Sequence, residues 1–171
     1  MISKKRLLEE LHRGRDDWEA VLAEIGRERM TIAGVAGEWS VKDIVAHVTA
    51  YERWVVALLD EAFGRPVTRD EEMEAAPDMD ARNAIIYRRN RDRDLDDVLT
   101  EWHQVSRHLA DYIRELPEEA LHDPMIAGLN PEWFPKPWKL FAENTYEHYA
   151  DHIPQIREWL ARQGNTRQKK A

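Results

Sequence analysis

Cysteine is absent from this chain. No disulfide, thiolate metal ligand or thiol nucleophile can be built from it, so any thiol chemistry needs a thiol from outside. Long apolar runs are missing as well. Nothing approaches the roughly 20 residues that cross a bilayer, and the start, MISKKRLLEELHR, has no apolar core of a signal peptide. Basic charge is in deficit: 25 Lys and Arg face 33 Asp and Glu, a net charge of −8. That balance argues against unspecific binding to nucleic acid or to an anionic membrane. Glycine-rich phosphate loops, nucleophile elbows and paired-cysteine motifs are also missing. The expectation is a cytoplasmic protein of bacterial type that meets a small-molecule substrate, not a nucleic acid or a membrane.

What is present reads as helix. Hydrophobic residues at 43% and charged residues at 34% of 171 fit one helical domain with a real core, rather than a disordered chain. Four long stretches carry the 3.6-residue period, and none shows convincing strand alternation. The first covers residues 3–26, with Leu7, Leu8, Leu11, Trp18, Leu22 and Ile25 on one face. The second opens at Ser40, where Ser-Val-Lys-Asp forms a capping box, and ends before Gly64 and Pro66. Its stripe is Val41, Ile44, Val48, Tyr51, Val55, Leu58 and Ala62. The third starts at the acidic Asp94 and ends before Pro117; the fourth runs from Pro137 to Gly164, with Pro154 predicting a kink beyond His152. A short helix is expected within residues 80–93. Two long connections make the predicted fold an all-α four-helix bundle with crossovers, occupying residues 1–164 and followed by a flexible basic tail at 165–171.

Three of the seven histidines point inward. His148 and His152, four apart in NTYEHYADHIPQIREWL, lie mid-stripe with Phe141, Thr145, Ile156 and Trp159. Residues so spaced share a helix face, their Cβ atoms about 5–6 Å apart. Two imidazoles there can reach one ion, and His47, at the rim of the second helix beside Trp54, would complete a three-histidine cap with open positions. Satisfied core histidines explain the pair about as well, each bonding a carbonyl or a carboxylate. His12, His103 and His108 fall about 100° or more from their stripes by the helical period and are expected to face solvent. Glu147 and Asp151 sit about 100° round from the pair. Asn144, one turn before His148, and Tyr51 are catalytic candidates for orienting a bound group.

These residues carry a resemblance. GEWSVKDIVAHVTAYERW followed by NTYEHYADHIPQIREWL resembles the DinB-like superfamily of four-helix-bundle metalloenzymes. The middle segment, NAIIYRRNRDRDLDDVLTEWHQV, is similar to its branch containing the DfsB and colibactin self-protection proteins. The resemblance implies a divalent metal (zinc, nickel or iron) held by His47, His148 and His152, and often a homodimer. Better-understood relatives are transferases or isomerases using a low-molecular-weight thiol such as mycothiol, bacillithiol or glutathione. The self-protection branch is linked instead to destroying an electrophilic genotoxin. The expected function is a metal-dependent enzyme that transfers a thiol to, or hydrolyses, a small electrophile. A dimeric protein that sequesters a small molecule without catalysis is the alternative.

Overall fold

Local signals place the helix starts. A computed structural model of the chain describes residues 2–67 and 70–168. Helix α1 spans Lys4–Ile25, its N-terminus capped by the Ser3 hydroxyl, which accepts from the Arg6 N–H, and its end marked by Gly26 at φ 74°. Helix α2, Val41–Ala62, opens with the complete capping box: Asp43 N–H donates to Ser40 Oγ, and the Ser40 N–H donates back to Asp43 at 2.8 Å. These bonds satisfy amides that a helix start leaves orphaned.

Short helices α3 (Glu71–Glu74) and α4 (Met79–Asn90) fill the connection to α5, Leu95–Glu115. Helix α4 ends at Asn90, short of the expected Arg93. There the buried Lys42 ammonium donates to the carbonyls of Asn90 and Arg91, both at 2.8 Å. A cation on the last carbonyls suits the negative end of a helix dipole. It also ties the end of α4 to the start of α2.

The fourth helix is two pieces rather than one: α6, Pro137–Glu143, and α7, Tyr146–Gln168. At the break, Thr145 Oγ1 donates to the Phe141 carbonyl and Asn144 Nδ2 donates to the Leu140 carbonyl at 2.8 Å. Side chains that occupy helix carbonyls compete with the backbone ladder. Pro154 lies inside α7, as expected. Gly164 does not stop α7, which runs on to Gln168; a single glycine costs a helix only about 1 kcal/mol relative to alanine. The rest of the expected basic tail, residues 169–171, lies outside the described residues.

The long helices form a ring in the order α1, α7, α2, α5, each packed on its two neighbours, with α4 laid against α2 outside it. Helices consecutive in the chain, α1 and α2, therefore sit at opposite corners, as do α5 and α7, and the loops between them cross the bundle. One core centres on Trp18, Trp102, Tyr149 and Trp159, a second on Leu7, Leu59, Ile113 and Phe141. Each such side chain, wholly removed from water, contributes about 1.5–3 kcal/mol before ordering costs. Gly14 permits the close approach of α1 and α7: a Cβ there would lie 2.3 Å from Tyr146 Cβ. Among the described residues there is no strand, and no helix is long and apolar enough to cross a membrane.

Candidate metal centre

Packing of α7 beside α2 brings the three inward histidines together. His47 Nε2 and His148 Nε2 are 2.9 Å apart. One ligand atom from each of His47, His148 and His152 can be chosen so that all lie within 4.8 Å of one another. The ring centroids are 4.8 Å apart for His47 and His148, 5.2 Å for His47 and His152, and 5.0 Å for His148 and His152.

His47 is buried, 7% exposed, rather than at a rim. Helix α2 is buried on every side from Val41 to Glu52 because α4 covers the face that a single stripe would leave to water. His148 and His152 are half-buried. Burial first, then the neighbouring histidines, push the His47 pKa down to about 3. The same causes, burial and then His152, bring His148 down to about 4. His152 is lowered by burial, against the side chain of Gln155 and the charge of Asp151. All three are therefore neutral at pH 7, the form that can ligate a cation.

The residues fit a metal ion. Core histidines with a structural role alone would spend their ring nitrogens on carbonyls or carboxylates. Here the Nδ1 atoms of all three are buried and have no hydrogen-bond partner, while two Nε2 atoms converge on each other. The donor set is three imidazoles with no thiolate or carboxylate, which suits zinc, nickel or iron.

Aromatic side chains wall the group. Trp39 meets His47 edge-on with centroids at 5.5 Å and stacks on Tyr87 of α4 at 5.5 Å. Tyr51 meets His47 at 4.9 Å and His148 at 5.4 Å. Its hydroxyl donates to Asn83 Oδ1 at 3.1 Å, with Met79 Sδ 3.7 Å away. Burial raises the Tyr51 pKa, opposed by the charge of Arg82.

Of the residues singled out by sequence, Tyr51 thus adjoins the histidines. Asn144 is the C-cap of α6, and its side-chain amide donates to the Leu140 carbonyl at 2.8 Å. Trp54 packs on Phe134 instead of His47. His12 and His108 are exposed as expected, but His103 is half-buried. Its ring lies on Trp102, and its Nδ1 is 3.0 Å from an Arg15 nitrogen. His122 holds the N-terminal segment through Nε2, 2.8 Å from the Ile2 carbonyl oxygen. Glu147 and Asp151 are exposed.

Several neighbours were missed. Met79, Asn83 and Ile86 share the α2-facing side of α4, a signal present in their spacing at intervals of four and three. Glu52, the residue after Tyr51 and fully buried, accepts from the Tyr149 hydroxyl, which in turn accepts from Trp102 Nε1 at 3.2 Å. Burial pushes the Glu52 carboxyl up to about 8, against the Tyr149 bond and the charge of Arg15. It is protonated at neutral pH.

A fold and site of this kind define a DinB-like helical bundle with a three-histidine cap. The chain belongs to the family described as the mycothiol maleylpyruvate isomerase N-terminal domain, which it matches over residues 11–143. That span contains His47 and stops short of His148 and His152. The bundle is also similar to the crystal structure of a Streptococcus pneumoniae protein from a structural genomics programme. The TM-score is 0.79 at 14% identity, covering 94% of this chain and 92% of that one, a likeness of fold. No curated protein matches the chain.

Proposed function

We propose that the protein is a metal-dependent enzyme that joins a low-molecular-weight thiol to a small electrophilic molecule, or rearranges such a molecule with the thiol's help. The convergence of three neutral imidazoles from two helices carries this reading. His47, His148 and His152 hold the ion. When bound, the ion supplies positive charge that lowers the pKa of a thiol or water at its open positions.

The chain's own residues do the rest. Tyr51 keeps its proton at neutral pH; released from Asn83 Oδ1, that proton would be donated instead to negative charge that develops beside His47 and His148. The stacked Trp39 and Tyr87 cover one flank and keep water from it. The thiol comes from outside, since the chain has no cysteine. The family's description names mycothiol, which supports a thiol of that class. The mid-chain resemblance to self-protection proteins supports an electrophile as the other reactant. A homodimer in the cytoplasm belongs to the same reading; the dimer rests on the family resemblance and on the exposed Trp54 and Trp133.

Metal analysis of protein purified without a histidine tag, followed by assay against model electrophiles with and without added thiol, tests the proposal. We expect about one equivalent of metal and thiol-dependent turnover, both lost in His148→Ala. Turnover without thiol would make the enzyme a hydrolase. Bound metal with no turnover of any electrophile would leave a sequestering protein.

A further inference from the structure

Helix α4 carries three arginines of unlike surroundings. Arg88 pairs with Glu72, and Arg89 with Asp70 and Glu72, all on the surface. Arg82 enters no ion pair among the described residues, although the chain holds 33 carboxylates. Its nearest acids in sequence are otherwise placed: Asp78 accepts from the Ala81 N–H, and Asp80 is exposed. The Arg82 side chain is half-buried, and its Nε is shut away from solvent with no hydrogen-bond partner.

Position explains where that charge acts. Arg82 lies one turn before Ile86, which packs on Ala50 and Tyr51, and next to Asn83, which holds the Tyr51 hydroxyl. Tyr51 in turn touches His47 and His148. Lys42 locks the far end of α4 to α2, and the Arg82 charge acts on Tyr51, opposing the rise that burial gives its pKa. A half-covered cation with a buried, unpartnered donor is costly by itself and favourable once an anion takes the place of lost water. Guanidinium presents a planar fork that a carboxylate matches with two parallel hydrogen bonds.

We propose that Arg82 is the specificity residue of this site, binding a carboxylate carried by a ligand that approaches the three histidines through the space outside the half-exposed His148 and His152. The inference rests on the reading of that space as a reaction site, and the carboxylate belongs either to the electrophile or to the thiol. Matched probes separate the two sources. Iodoacetate and iodoacetamide differ in charge at the electrophile; 3-mercaptopropionate and 2-mercaptoethanol differ in charge at the thiol.

Metal-loaded wild-type protein is titrated with the two thiols by calorimetry, and the two electrophiles are compared as competitors for the better-bound thiol and as substrates. One charged member should bind roughly ten- to a hundredfold more tightly than its neutral partner, the range expected of a charge-assisted hydrogen bond. Whichever pair shows the preference identifies the carrier. Arg82→Gln should abolish the preference and Arg82→Lys retain part of it, with metal content and helical melting unchanged in both. Arg88→Gln should behave as wild type. A preference that survives Arg82→Gln belongs to the ion itself and overturns the assignment. Equal binding of both members of both pairs, in fully metal-loaded protein, overturns it as well and leaves the metal reading standing. Protein without metal would fail the metal reading instead, and Arg82-dependent preference in that same protein would still uphold the carboxylate site.

Discussion

His47 Nε2 and His148 Nε2 lie 2.9 Å apart although 101 residues separate them in the chain. Neither has its Nδ1 bonded to anything, and His152 shares that condition. Polar rings in such a position gain nothing from one another as neutral groups beyond a single hydrogen bond. A shared cation would use all three.

Metal retention should therefore persist well into acid. An ordinary histidine begins to protonate below about pH 6.5 and to give up its metal there. Burial keeps the folded protein's His47 and His148 neutral to about pH 3 and pH 4, so protons compete for them only at lower pH. Dialysis against buffers of falling pH, with metal measured in the retained protein, should show most of the metal still bound at pH 5.5. Half-loss near pH 6.5 would mean the ligands are not shielded as described. A chelator should lower the melting temperature of the loaded protein and leave that of His148→Ala where it was.

Glu52 makes stability depend on alkaline pH. Its folded pKa, about 8, is above the ordinary value, so between roughly pH 4.5 and 8 the folded state binds a proton that the unfolded chain does not. Stability from this group is full below pH 4.5 and is lost as pH rises to about 8. Glu52→Gln keeps the shape and the hydrogen bond without the titration. Urea denaturation at pH 5.5 and pH 8.5 should show the variant losing less stability than wild type across that interval. Equal losses would sink the claim.

Gly14→Ala should destabilise, against the usual gain from putting alanine in a helix. The added Cβ meets the Tyr146 Cβ at 2.3 Å, and overpacking of this kind costs about 1–3 kcal/mol, more than the roughly 0.5–1 kcal/mol of propensity gained. Chemical denaturation measures the difference. A more stable variant would show that α1 and α7 can part at that point without loss.

Light scattering at micromolar concentration should give the mass of a dimer, twice 20.2 kDa. Substituting Trp133, 73% exposed, by serine should weaken association if that side chain lies in the interface, and leave helical content unchanged. A monomer at these concentrations removes the dimer and leaves the metal site untouched.

Much of this molecule is encoded locally. Ser3 and Gly26 bound α1, and Ser40 with Asp43 start α2, through bonds that span three or four residues. Such signals are readable because both partners sit in one short stretch of chain. The 3.6 period likewise put His148 and His152 on one inward face, since a helix carries its face with it, but it left His103 to solvent and His47 at a rim. The all-α class and the resemblance to the DinB-like superfamily followed from the same features.

Tertiary structure decided the rest. The break at Asn144 and Thr145 goes with the Thr145 hydroxyl taking the Phe141 carbonyl, while the Thr145 N–H turns to Ala142 instead. His47 became a buried residue because α4 lies over α2, a packing held by Lys42 on carbonyls 48 and 49 residues away. Nothing local marks Glu52 or Arg82: neighbouring helices make one a buried acid and leave the other without an ion pair among the described residues. Periodicity describes one helix at a time. Which helices become neighbours is set by burial summed over the whole chain, and that sum alone brought three histidines to one point.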